Sequence, residues 1–187
     1  MQGIATIAVV GAGAVGSFYG ALLARAGCAV TLIGRAAHVQ AIARDGLRLD
    51  MGGTTEAIRV AASTELRDVQ AADLVLVCVK STDTEATARD LAPLLAPQAV
   101  VLSLQNGVEN AALIRRHVRQ PVLPAVVYVA AAMPAPGTLR HLGRGELLIG
   151  PPSPQAAADA ALKARMNDIV ALFARAGIAV MVRADVM

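Results

Sequence analysis

The stretch Ile4-Ala5-Thr6-Ile7-Ala8-Val9-Val10-Gly11-Ala12-Gly13-Ala14-Val15-Gly16 decides how the rest of the chain is read. Its continuous apolar run, Ile4 to Val10, ends abruptly on a glycine, which predicts a strand buried on both faces. Residues from Ala14 to Ala26 are helix formers, and Gly27 supplies the stop. The glycines between strand and helix fit G-x-G-x-x-G, and each has a physical use in that setting. Gly11 permits a tight turn out of the strand, Gly13 lets a ligand come close to the backbone, and Gly16 lets the helix pack closely on the sheet. The helix N-terminus then offers unpaired N–H groups and a partial positive charge to an anion.

Outward from this unit, strands and helices alternate. Strands are predicted over Ala29–Ile33, Leu74–Val79 and Ala99–Leu104, and helices over Ala36–Arg44, Thr84–Leu95 and Val108–Val118. Leu47–Asp50 and Ala57–Ala61 flank Gly52-Gly53 and read as a small hairpin. After Pro121 the chain breaks into short β pieces, Val122–Ala132, Gly137–Leu142 and Glu146–Ile149. A long helix over Ala156–Ala176 and a last strand over Ile178–Val182 follow. Such alternation predicts an α/β fold, a doubly wound, mostly parallel sheet with helices on both faces, of the Rossmann type.

Composition narrows the function classes. The chain of 187 residues is 56% hydrophobic and 17% charged, enough to bury a sizeable core. Aromatic residues make up 2%, Trp is absent, and the net charge of +3 is scattered, so nucleic acid is not an expected partner. The run Ile4–Val10 is too short to span a bilayer and the N-terminus lacks a signal-peptide basic region, so a cytoplasmic protein without membrane attachment is expected. Cys28 and Cys78 stand alone, far from any metal-ligand spacing, and read as small buried hydrophobes. His38, His117 and His141 are isolated and support neither acyl transfer nor metal chemistry, although His38 lies close to Arg35 in sequence and could reach the adenosine end of a cofactor.

The residues predicted to carry chemistry lie at strand ends. Gly11, Ala12, Gly13, Ala14, Val15 and Gly16 would hold the pyrophosphate of a dinucleotide. The second strand ends in Gly34-Arg35 with no acid for a ribose 2′-hydroxyl, and a guanidinium there suits the 2′-phosphate of NADP; a solvated surface arginine is the alternative. Lys80 follows the strand ending at Val79, and Gln105-Asn106-Gly107 follows the next one. Both fall on the carboxyl edge, where open α/β sheets bind ligands. Either could instead be a surface or turn residue, but Arg35, Lys80 and Asn106 fall on one edge of one sheet.

These motifs, with Tyr128-Val129-Ala130-Ala131 and Pro136-Gly137-Thr138-Leu139-Arg140-His141, resemble the N-terminal domain of the ketopantoate reductase family across essentially the whole chain. The resemblance implies an NADP(H)-dependent oxidoreductase that reduces a small ketoacid, ketopantoate, on the way to pantothenate and coenzyme A. It implies that Gly11 to Gly16 hold the pyrophosphate, Arg35 the 2′-phosphate, and that Lys80 serves the cofactor. Asn106 would lie between nicotinamide and substrate, and Ala131 would offer a main-chain contact. Family members continue into a helical domain that supplies the proton-donating lysine. Residues 1–183 are accordingly expected to form the cofactor domain, with no catalytic residue of their own and no turnover alone. A stand-alone NADP-binding module and a reductase of another 2-ketoacid are the alternatives, and a homodimer is a further expectation.

Overall fold

The computed structural model describes residues 4–107, 109–184 and 186. The chain begins with β1 (Thr6–Val10), α1 (Ala14–Arg25), β2 (Ala29–Ile33), α2 (Ala36–Asp45), β3 (Leu47–Met51), β4 (Thr54–Ile58) and β5 (Ala61–Ser63). It continues with β6 (Leu74–Val77), α3 (Thr84–Leu91), β7 (Val100–Ser103) and α4 (Asn110–Arg115). Last come β8 (Val122–Ala135), β9 (Thr138–Ile149), α5 (Ala160–Arg175) and β10 (Val180–Val182).

The strands join one ten-stranded sheet in the order β4-β3-β9-β8-β7-β6-β1-β2-β5, with β10 beside β9. β1 sits between β2 and β6, parallel to both, which explains its unbroken apolar run. Pairing is antiparallel for β3 with β4 and for β8 with β9, and parallel elsewhere. Alternate residues of the central strands feed two cores. Val9, Leu32, Leu76 and Leu102 meet Phe18, Tyr19 and Leu23 of α1 and Ile169 and Phe173 of α5 on one face. Val10, Ile33, Val77 and Val101 meet Ala88 and Leu91 of α3 and Ile114 of α4 on the other. The expected doubly wound architecture is therefore present, with helices on both faces. Among the described residues no helix is long and apolar enough to cross a membrane.

Several boundaries differ from the sequence reading for physical reasons. The hairpin pairs Met51 with Thr54 directly across Gly52 (φ 69°) and Gly53 (φ 98°), because this two-residue turn needs positive φ at both positions. Its second strand therefore ends at Ile58, and Ala61–Ser63 leaves to lengthen the sheet beside β2. The three short β pieces after Pro121 are two long strands. Gly143 (φ 146°), Arg144 (φ 60°) and Gly145 (φ 150°), which read as breaks, are absorbed as irregularities in the β8–β9 ladder, where the register shifts. At Gly145 an added Cβ would lie 3.0 Å from the Phe18 ring, so the irregular stretch also makes room for α1.

α3 stops at Leu91 rather than Leu95, since Pro93 has no N–H to continue the ladder. The helix predicted over Val108–Val118 spans Asn110–Arg115, and Val108 lies outside the described residues. The long helix starts late because Asp159 begins it afresh, its carboxylate accepting from the N–H groups of Ala161 and Leu162. A separate 3-10 turn, Ala156–Ala158, precedes it.

Candidate functional site

The carboxyl ends of β2, β1, β6 and β7 lie side by side, in that order. β1 runs into Gly11 (φ 100°), whose N–H, with that of Ala12, donates to the Ile33 carbonyl at 3.0 Å. A Cβ at Gly11 would lie 2.7 Å from the Cys78 carbonyl carbon and from the Val79 nitrogen, so glycine here lets β1 turn tightly against β6. At Gly16 it would lie 2.3 Å from the Gly11 oxygen and 2.9 Å from Val9 Cγ1, which holds α1 on the sheet. Gly13 is different: it is exposed, sits at the N-cap of α1, and nothing lies within 4 Å of where its Cβ would be. Among the described residues no side chain caps α1, and no acid occupies its first turn, so its leading N–H groups lack a side-chain partner. The tight turn at Gly11 and the close helix packing at Gly16 are thus as the sequence suggested, and Gly13 leaves its surroundings open.

Gly34 belongs to the same device although its role was not legible in the sequence. Its N–H donates to the Ser63 carbonyl, and a Cβ there would lie 2.8 Å from that of Ala12, so β2 can end against the glycine turn. Arg35 follows as the exposed N-cap residue of α2. Lys80 and Asn106 are exposed beyond β6 and β7, and among the described residues neither side chain holds a hydrogen bond or ion pair. A hollow of about 170 Å³ opens beside Asn106 and Gly107, walled by Pro124 to Val127 of β8. A larger hollow of about 360 Å³ lies at the opposite, amino edge, lined by Thr6, Ala29, Arg59 and Asp68 and away from the glycine turn.

Ala131 is set apart from that row. It lies in β8 opposite His141, in a stretch that runs past Pro124, the partner of Ser103 at the end of β7. There it is half-buried and packs against the core that α1 shares. The structure thus brings Arg35, the glycine turn, Lys80 and Asn106 to one edge and leaves Ala131 farther along β8, beyond the end of β7.

His38 is buried, and both ring nitrogens are engaged. The Gly137 N–H donates to Nδ1 at 2.8 Å, so Nδ1 is unprotonated and Nε2 carries the hydrogen. Nε2 then donates to Ser17 Oγ at 3.2 Å, and Ser17 Oγ donates to the Ala12 carbonyl at 3.2 Å. His38 is therefore a neutral brace from the β8–β9 turn to the glycine turn, with no ring nitrogen spare for adenosine. Burial, reinforced by the Arg35 charge, holds its pKa below the usual 6.5. The unfolded chain takes up this proton as the pH falls through 6.5 and the folded chain only lower down. The brace's contribution to stability is full above 6.5 and is lost as the pH falls from there through the lowered folded value. The urea midpoint should fall between pH 7.5 and 5 more steeply in the wild-type chain than in His38→Gln; equal slopes would exclude the brace.

The other expected bystanders have structural places. His141 stacks on Phe18 with centroids 4.7 Å apart, and His117 lies 3.5 Å from the Glu85 carboxylate. Burial pushes the Cys78 thiol pKa up, away from reactivity, beneath the glycine turn. Among the described residues no group of three or more His, Cys, Asp or Glu is arranged to hold a metal ion.

A mostly parallel sheet whose central strand turns through glycines into an uncapped helix defines a Rossmann-type domain. Residues 7–154 match the family described as Ketopantoate reductase PanE/ApbA, and the chain belongs to that family. It is 43% identical over 147 residues to the 2-dehydropantoate 2-reductase of Halobacterium salinarum, covering 77% of this chain and 48% of that protein. A crystal structure of a PanE/ApbA family ketopantoate reductase from Ralstonia eutropha superposes with a TM-score of 0.84 at 50% identity, covering 95% of this chain and 56% of the other. A complex of D-mandelate dehydrogenase with NADH superposes with a TM-score of 0.80 at 25% identity, covering 97% and 56%. The chain thus spans about half the length of the relatives it matches.

Proposed function

We propose that this chain is the NADP(H)-binding half of an oxidoreductase that reduces ketopantoate to pantoate, within pantothenate and coenzyme A synthesis. The observation that carries this reading is the order of groups along the carboxyl edge: Arg35, the glycine turn, Lys80, then Asn106. Three inter-strand steps separate β2 from β7, about 14–15 Å at ~4.8 Å each, a span that an extended two-nucleotide ligand covers. Gly13 and the uncapped N–H groups of Ala14 and Val15 suit the pyrophosphate, and Arg35 the 2′-phosphate. Lys80 would serve the nicotinamide side of the ligand, pairing with its phosphate or donating to its ribose oxygens. Ala131 would contribute only main-chain groups.

When bound, the dinucleotide supplies hydride chemistry to a keto carbon. This chain's part is to fix where that chemistry happens. Asn106, free to donate and accept, would orient the nicotinamide ribose or the ketoacid carbonyl beside the hollow against β8. The β8 wall there, Ala125 to Val127, would limit water at the reacting face. Proton delivery to the developing alkoxide would come from the part of the enzyme that this chain does not span, so the chain alone would bind cofactor without turnover.

The similarity to an NADH complex makes cofactor choice the point to test. In calorimetric titration the chain should prefer NADPH to NADH by at least about tenfold, the weight of one charge-assisted contact of ~1.5 kcal/mol. Arg35→Ala should remove the preference by weakening NADPH binding while leaving NADH unchanged. Equal affinities in the wild-type chain would favour an NADH-dependent reductase of another 2-ketoacid.

A further inference from the structure

Behind Lys80 and Asn106 lies a polar network with each donor assigned. Gln105 Nε2 donates to the Val79 carbonyl at 3.0 Å and to Thr84 Oγ1 at 2.7 Å, and its Oε1 accepts from Ser103 Oγ at 3.2 Å. Thr84 Oγ1 donates to Asn110 Oδ1 at 2.9 Å. Asn110 Nδ2 donates to Ser81 Oγ at 3.1 Å and to the Asn106 carbonyl at 2.8 Å, and Ser81 Oγ donates to that same carbonyl at 3.0 Å. The two main-chain carbonyls can only accept, so both amide orientations and the direction of each hydroxyl are fixed. Donation runs one way, from Ser103 to Asn106. Bonds aligned like this polarise one another.

The network joins segments distant in sequence. Gln105 and Asn106 lie beyond β7, Val79 and Ser81 beyond β6, and Thr84 and Asn110 are the first residues of α3 and α4. Thr84, Ser103, Gln105 and Asn110 are 0–6% exposed, so a lost partner leaves a polar group stranded without water. Lys80 and Asn106, by contrast, are exposed, with side chains unengaged among the described residues. The polar atoms of the two loops are thus divided, with the main chain tied inward and two side chains left outward.

We propose that Asn110 is a positioning residue which, with Thr84, Gln105 and Ser81, locks the loops after β6 and β7 into one unit. That unit presents Lys80 and Asn106 at a fixed separation to the nicotinamide-bearing half of the dinucleotide. The proposal rests on the cofactor reading above. Arg35 and the glycine turn belong to other strands, so the lock has no part in holding the adenosine half.

The test is Asn110→Asp, which keeps the acceptor for Thr84 but sets an oxygen against the Asn106 carbonyl. Two ligands are titrated: NADPH, and adenosine 2′,5′-bisphosphate, which lacks the nicotinamide half. NADPH affinity should drop about tenfold while the bisphosphate changes by less than about twofold. A parallel loss on both ligands, or no loss on either, overturns the proposal. Amide hydrogen exchange of the unliganded chain supplies a readout that needs no cofactor: residues 79–83 and 105–107 should accelerate together while those of β1 and β2 do not. Acceleration confined to 105–107, or spread over the whole sheet, also overturns it. Failure of the wild-type chain to bind either ligand would overturn the cofactor reading itself, and exchange would then judge the lock separately. Should Asn110→Asp not fold, Ser81→Ala at an exposed position removes two of the same bonds, with an expected NADPH loss of about threefold and the same exchange pattern.

Discussion

Gly11→Ala should destabilise the domain by at least about 3 kcal/mol, while Gly13→Ala, two residues on, should leave stability within about 1 kcal/mol of wild type. At Gly11 the new methyl would meet three backbone atoms of Cys78 and Val79 at 2.7 to 2.9 Å, on a residue held at φ 100°. Backbone cannot rotate aside as a side chain can. Relief requires β1 and β6, both at the centre of the sheet, to part. Steric overlap and the unfavourable φ each cost about 1–3 kcal/mol, and here they fall together. Gly13 has φ −81° and an open surrounding, so alanine fits the protein there. On the proposed cofactor reading, its methyl would instead stand where a pyrophosphate would approach the α1 N-terminus. Urea unfolding and NADPH titration of both variants should therefore give opposite profiles: Gly11→Ala unstable, Gly13→Ala stable but weak in binding. Equal stability losses would show that the turn is not built as described.

Phe173→Ala should cost about 3–5 kcal/mol, lowering the melting temperature on the order of 10 °C for a domain of this size. Phe173 is fully buried on α5, and its ring centroid lies 6.3 Å from that of Tyr19, which is buried on α1. Truncation leaves a cavity between these helices on one face of the sheet. Arg165 ties the same helix to the carbonyls of Asp73 and Gln98 at the amino edge, 3.3 Å each. The packing makes α5 part of the core that α1 and the central strands share. One cooperative transition, shifted as a whole, is the expected melting curve. A loss below about 1 kcal/mol, or a separate early transition for α5, would show it to be an appendage.

Local sequence determined the central architecture because the signals there are local. The run into Gly11, the stop at Gly27 and the apolar strands at Leu74 and Val100 each report their own burial, and a strand buried on both faces needs no distant partner to be legible. The same holds for the row of Arg35, the glycine turn, Lys80 and Asn106, since residues just after parallel strands share one edge whatever the strand order.

Tertiary structure decided the rest. It put the glycines at 143 and 145 inside a strand, where irregular pairing accommodates Phe18, instead of at a break. It made His38 a brace by bringing Gly137 to its ring across 99 positions of sequence. It joined Gln105, Thr84, Asn110 and Ser81, unremarkable polar residues when read singly, behind two exposed side chains. The physical reason is common to all three: burial on a strand is written in adjacent residues, whereas the partner of a buried polar group is chosen by chain segments that meet only once the sheet has formed.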